Sequence, residues 1–212
     1  MLSSNALAQG SPPPDGNKEL AREWANKAKE RYDAGDYQGA IDGIREAEKH
    51  ARPPTFTRLS ALAHERLGKL VEAQRLHQSV ADLTLAKDAP EAWVNAKAAS
   101  ENDLKALAPR IPKLEIVVAG ASAPDLELTL DGAPFDGGQL GRPVPQNPGV
   151  HTVEVRGRGR PPVTRSVELR EGATERVEIA VPAPSRPPAG PKVLPPSSPP
   201  PGSGVAVPPA LR

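Results

Sequence analysis

Two stretches, Gly35-Asp36-Tyr37-Gln38-Gly39-Ala40 and Gly68-Lys69-Leu70-Val71-Glu72-Ala73, decide the interpretation of the first half of this sequence. Each stretch begins with a glycine that interrupts helical spacing of apolar residues. The two glycines, at positions 35 and 68, are 33 residues apart. A break that recurs at this interval indicates two copies of one helix–turn–helix unit.

Apolar residues at three- and four-residue spacing surround both turns and predict amphipathic helices. Asn17 is predicted to be the N-cap of the first helix, and Arg52-Pro53-Pro54 separates the two units. A fifth helix is expected from Ala89 to Ala108, with Pro90 in its first turn, and it would cover the open end of the hairpins. The stripes of the first four helices are Leu20, Trp24, Ala28 and Tyr32; Tyr37, Ala40, Ile41, Ile44 and Ala47; Phe56, Leu59, Leu62, Ala63 and Leu67; and Leu70, Ala73, Leu76, Val80 and Leu83.

The first unit resembles a tetratricopeptide repeat. Trp24 lies early in its first helix, Gly35-Asp36-Tyr37 forms its turn, and the small residues Ala40 and Ala47 stand where the family lets two helices approach. The second unit is more degenerate and keeps Gly68, Ala73 and Val80. The resemblance covers about 70 residues, two periods of the repeat.

This resemblance implies a groove that binds a protein or peptide, lined by the first helix of each unit. A solvated charged face is the alternative interpretation of the same side chains. Residues 17–108 would then form a helical domain of two hairpins and a capping helix. The groove residues by alignment are Arg22, Lys29, Tyr32, Arg58 and Glu65.

Between residues 110 and 181 the apolar period changes from about 3.6 to 2, which predicts strands. Asp131-Gly132 is a hairpin signal, and Glu171-Gly172 is a second turn signal. Six or seven short strands predict a small antiparallel β-sandwich. The alternating residues are Leu114, Ile116 and Val118; Leu126, Leu128 and Leu130; Val153 and Val155; Val163, Val167 and Leu169; and Val177, Ile179 and Val181.

This half resembles the PEGA domain of bacterial envelope proteins. The resemblance rests on a strand ending in Asp131-Gly132, on Gly141-Arg142-Pro143, and on the strand entry Pro148-Gly149-Val150-His151. It departs from the family at Asp136-Gly137-Gly138, which is inserted, and at Gly157-Arg158-Gly159-Arg160, where an aromatic residue often follows the glycine. The resemblance implies that His151 has a structural hydrogen-bonding role.

Motifs for catalysis, metals and cofactors are missing from the sequence. None of the histidines forms a His-Glu-x-x-His pattern, and no phosphate-binding loop or nucleophile elbow is present. With 0 cysteines there is no thiol nucleophile and no Cys-ligated zinc. A net charge of +1 argues against nucleic-acid binding. No apolar run is long enough to span a membrane. We therefore predict a non-enzymatic protein without a cofactor.

The two termini suggest a location. Ala6-Leu7-Ala8 has the form of a signal-peptidase site, so residues 1–16 would be a disordered N-terminus with a signal-peptide remnant; a chance match in an Ala-rich segment is the alternative. Residues 182–212 hold 12 of the 27 prolines, which predicts a disordered proline-rich tail.

The combined interpretation is an interaction or scaffold module of the bacterial cell envelope, periplasmic or otherwise extracytoplasmic. If Met1 is the genuine start, the alternative is a cytoplasmic tetratricopeptide-type adaptor or regulatory protein.

Overall fold

The computed structural model describes residues 15–120, 126–157 and 160–183. The Ala6-Leu7-Ala8 motif and nearly all of the predicted proline-rich tail lie outside the described residues. Arg158 and Gly159, in the basic Gly-Arg repeat, also lie outside them. Within the described part, helices come first and strands follow, which confirms the predicted architecture of an α part followed by a β part.

The described residues form five helices, and all five were predicted. The end positions differ slightly from the expectation, because Asn17 lies within the first turn of the first helix and Leu83 follows the fourth helix. The helices are α1 Asp15–Asp33, α2 Tyr37–Ala47, α3 Pro54–Arg66, α4 Leu70–Ala81 and α5 Glu91–Leu107.

Small residues let the helices of the first hairpin approach closely. Ala28, Ala40 and Ala47 have no exposed surface. At Gly43 a Cβ atom would lie 3.0 Å from the Cβ of Ala28, so α1 and α2 come together where neither carries a large side chain. Along the chain α1 packs on α2, α2 on α3, and α3 on α4, while α5 packs against both α3 and α4.

The two hairpin turns share one backbone geometry but differ in how the following helix is capped. Gly35 and Gly68 have φ of 83° and 73°, a region that favours glycine. Asp36 and Lys69 follow with nearly equal dihedral angles, φ −82° and ψ 73° against φ −83° and ψ 64°. The Asp36 carboxylate accepts the N–H of Gly39 at 2.8 Å. Lys69 has only donors in its side chain, so it makes no such bond.

Seven strands in two sheets form the second half of the described chain. One sheet has the order β4-β1-β7 and the other β3-β2-β5-β6, with a short 3-10 helix, Gly137–Gln139, between β3 and β4. The strands are β1 Lys113–Ala119, β2 Leu126–Leu130, β3 Ala133–Pro134, β4 Pro143–Pro145, β5 Gly149–Gly157, β6 Val163–Leu169 and β7 Thr174–Ala180.

The pairing is antiparallel except between β1 and β7, which run parallel from Lys113↔Thr174 to Ala119↔Ala180. The alternation of apolar residues does not encode strand direction, so this pair was not predicted. The Asp131-Gly132 hairpin was predicted, and it joins β2 to β3. Asp131 and Gly132 have φ of 52° and 79°, the positive values that a two-residue type I′ turn needs. Glu171-Gly172 instead carries the chain from one sheet to the other.

The sandwich core contains the inward residues of both sheets. The alternating pattern placed them correctly, because successive side chains of a strand point to opposite faces. The buried members are Leu114, Ile116, Leu128, Leu130, Val153, Val155, Leu169, Ile179 and Val181.

Candidate functional site

The structure divides the five predicted groove residues into separate environments. Arg22 and Lys29 are exposed on α1, and a seven-residue separation places them on one side of that helix. Lys29 also pairs with Asp33 on the same helix. Tyr32 packs edge-on against Tyr37, with ring centroids 5.4 Å apart, at the small core between the hairpins. The peptide groove itself stays a prediction.

Arg58 and Glu65, the other two groove residues, lie on the face of α3 that meets α4 and α5. Arg58 Nε donates to Asp103 Oδ2 of α5 at 3.0 Å. Glu65 accepts from His77 of α4 through Oε1 at 3.1 Å and from Arg110 through Oε2 at 3.0 Å. These two side chains therefore bind other parts of the same chain.

His77 is the centre of this polar cluster and has no exposed surface. Its Nε2 faces the Glu65 carboxylate, which can only accept, so the ring donates there. Its Nδ1 lies 3.3 Å from Ser100 Oγ, which donates the hydroxyl proton in return. Burial lowers the pKa of His77 although Asp103 and Glu65 favour the charged ring. The histidine is thus held in its neutral form.

The order Ser100–His77–Glu65 is that of a nucleophile, a base and an orienting carboxylate. However, Ser100 and His77 both have 0% exposure, so a substrate has no route to the hydroxyl. What this arrangement can do is fix α3, α4 and α5 relative to one another through satisfied buried hydrogen bonds.

Sequence reasoning missed this cluster, although a signal was present. His77 continues the apolar stripe Leu70, Ala73 and Val80 of α4, and Ser100 lies in the buried stripe of α5 with Ala96 and Leu107. A polar residue in a buried stripe needs a partner, because an unpaired buried polar group costs about 1–3 kcal/mol.

Arg110 joins the helical cluster to the sandwich. Its Nη1 donates to Glu65, while Nε and Nη2 donate to the two carboxylate oxygens of Glu171 at 3.0 and 3.3 Å. The hydrogen bonds that Arg110 donates to Glu171, and then the one that it donates to Glu65, raise the pKa of Arg110 further above its already high ordinary value. Glu171 lies in the turn between β6 and β7, so one guanidinium connects α3 to that turn.

Asn147, in the loop between β4 and β5, makes a second connection to the helices. Its Oδ1 accepts the N–H of Val71 at 2.8 Å, and its Nδ2 donates to Glu72 Oε2 at 2.8 Å. Both partners lie in the first turn of α4. The adjacent Pro148 approaches the turn at Gly68.

His151 anchors the same loop within the sandwich, in the hydrogen-bonding role that the sequence implied. Its Nε2 donates to the Asn147 carbonyl at 2.7 Å, and its Nδ1 contacts Asp131 Oδ2 at 2.6 Å. Partial burial by itself would raise the pKa of Asp131. The hydrogen bond from the N–H of Thr152 and the contact with the His151 ring outweigh this effect of burial. The pKa of Asp131 therefore lies below its ordinary value.

Comparison with known proteins assigns no family. No protein-family model matches the chain, and no curated protein matches it. Across the residues that the structure describes, no group of three or more His, Asp or Glu side chains is placed to hold a metal ion. In that same part of the chain, no helix combines the length and apolarity needed to cross a membrane.

Proposed function

We propose that this chain is a non-catalytic protein–protein interaction or scaffold module of the bacterial cell envelope. The observation that carries this proposal is the internal use of its polar side chains. Glu65, His77 and Ser100 hold the helices together, and Arg110 and Asn147 hold the helices to the sandwich. Such residues build a fixed platform, and its exposed faces remain for binding.

The exposed face of α1 is the proposed contact surface. Arg22, Asn26 and Lys29 follow one another at spacings of four and three residues, so they share one side of the helix, and all three are exposed. The pair between Lys29 and Asp33 is also exposed, and a pair of this kind contributes only about 0–1 kcal/mol. A partner can displace it. Arg22 and Lys29 give this side of α1 two cations, and acidic groups of a partner are the chemistry that complements them.

The envelope location is supported by sequence alone. The tetratricopeptide-like and PEGA-like motifs occur together here, and Ala6-Leu7-Ala8 has the form of an export-cleavage site. Fractionation of cells that express the chain from its own gene would test it. Recovery with the envelope is expected, whereas recovery in the cytosol would favour the adaptor alternative.

Charge reversal tests the binding surface. The full-length variant R22E/K29E should lose capture of partners from an envelope extract in a crosslinking pull-down. The variant R165E/R170E makes the same change in charge at exposed positions of the sandwich and should keep that capture. If both variants retain partners, or both lose them, the α1 face is not the binding surface.

A further inference from the structure

The start of α4 is capped by a residue from the other half of the protein. In the first hairpin, α2 is capped by its own Asp36, whose Oδ1 accepts the N–H of Gly39. In the second hairpin Lys69 takes the place of that aspartate, and the acceptor is Asn147 Oδ1, which binds the N–H of Val71. Asn147 is 76 residues away in the sequence from the residue that it caps.

Asn147 satisfies the helix end in two ways at once. A helix leaves its first four N–H groups without partners inside the helix, and asparagine is among the best residues for capping them. The Nδ2 group of Asn147 also donates to Glu72 Oε2. In a local capping box, the cap side chain accepts the N–H of the third helical residue, and a Glu at that third position accepts the backbone N–H of the cap residue. Here Glu72 is the third residue of α4, but it accepts from the side chain of Asn147 in the sandwich.

We propose that the sandwich supplies the N-cap of α4, so that the second helical hairpin and the sandwich form one cooperative unit. The loop that carries Asn147 is itself fixed, because His151 binds the Asn147 carbonyl and Asp131 binds His151. Displacement of this loop therefore removes the cap from α4. This coupling between α4 and the sandwich does not depend on the proposed binding partner.

The positions of the tryptophans provide a selective probe. Trp24 lies in α1 and Trp93 in α5, and these are the 2 tryptophans of the chain. Tryptophan fluorescence during denaturant unfolding of the full chain therefore reports on the helical half. Amide hydrogen exchange in β2 and β5 reports on the sandwich.

A cycle of substitutions at Asn147 and Lys69 tests the proposal. The change N147A truncates a side chain of the sandwich, yet it should lower the folding equilibrium constant of the fluorescence transition about fivefold, the usual effect of losing a cap. Adding K69D places a side-chain acceptor at the N-cap position of α4, from which it can reach the N–H of Val71 or Glu72, and should recover part of this loss. In the wild-type background K69D should have a smaller effect, because Asn147 already accepts the N–H of Val71, one of the two N–H groups within reach of residue 69. The two changes should therefore be non-additive.

The matched control is N102A, which truncates an exposed asparagine of α5 and should leave the fluorescence transition nearly unchanged. Three results would overturn the proposal. The first is an N147A variant that changes amide hydrogen exchange in the sandwich but leaves the fluorescence transition of the helical half unchanged. The second is equal stabilisation by K69D in the wild-type and N147A backgrounds. The third is a fluorescence shift in N102A as large as that in N147A.

Discussion

The Nε2 atom of His77 lies 3.1 Å from Oε1 of Glu65, and this contact joins α4 to α3 where the histidine has no exposed surface. The opposite ring nitrogen meets Ser100 of α5. One imidazole thus connects three consecutive helices. The neutral state of the ring stabilises the fold, because a charged ring buried here would lose its contact with water at a cost in free energy.

Stability should fall on acidification because of His77. Burial holds the pKa of this ring below its ordinary value of 6.5 even though Glu65 and Asp103 face it, while Arg58 opposes protonation as well. The unfolded chain takes up a proton near pH 6.5, whereas the folded chain resists it to lower pH. The contribution of His77 to the free energy of unfolding is therefore complete above about pH 6.5, and it is lost as the pH falls below that value.

Denaturant unfolding at several values between pH 8 and pH 5 would measure this dependence. The variant H77Q cannot titrate at this position and should have a flatter profile. The variant H50Q, at a histidine outside the buried cluster, is the matched control for the substitution. Equal slopes in wild type and H77Q would show that His77 does not govern the acid response.

Removal of the Glu65 carboxylate should destabilise the helical half. The change E65A leaves His77 and Arg110 without their shared acceptor, and a loss of about 1–3 kcal/mol in the free energy of unfolding is expected. E46A is the control, since Glu46 makes only an exposed pair with Lys49, and such pairs contribute little. A similar small loss in both variants would mean that the buried cluster is not coupled to stability.

Asp131 should be replaceable by asparagine more readily than by alanine. Its φ of 52° lies in the left-handed region, which asparagine tolerates and alanine does not, and its Oδ1 accepts the N–H of Thr152. We expect D131A to lose about 2 kcal/mol and D131N about half of that, measured by thermal unfolding. Equal losses in D131A and D131N would contradict this account of the turn.

The close approach of α1 and α2 should not accept a larger side chain at Gly43. The change G43V would press on Ala28, whose Cβ lies 3.0 Å from the position of the new Cβ, and overpacking of this kind costs about 1–3 kcal/mol. The change G16V, at a glycine with no atom near its Cβ position, should be tolerated. Comparison of the two denaturation midpoints checks the prediction, and a stable G43V variant would refute it.

Much of the fold could be predicted from the sequence, because its signals are local. The glycines at 35 and 68 and the prolines at 53 and 54 separate the helices, and Asp131-Gly132 set the hairpin where it was expected. The position of each strand followed from alternation. The site was less predictable. Arg58 and Glu65 have the same spacing whether they face a groove or a neighbouring helix. Only the packing of α4, α5 and Arg110 against α3 decides between these two environments.

By itself, therefore, the sequence determined five helices, a β-sandwich and the turns that separate their elements, because propensity and periodicity act over a few residues. The tertiary structure alone decided that β1 and β7 run parallel, that His77 is sealed among three helices, and that Asn147 caps α4. Each of these depends on residues far apart in the chain. Their partners are chosen by packing, since a buried polar group needs whichever complementary group the fold brings within about 3 Å.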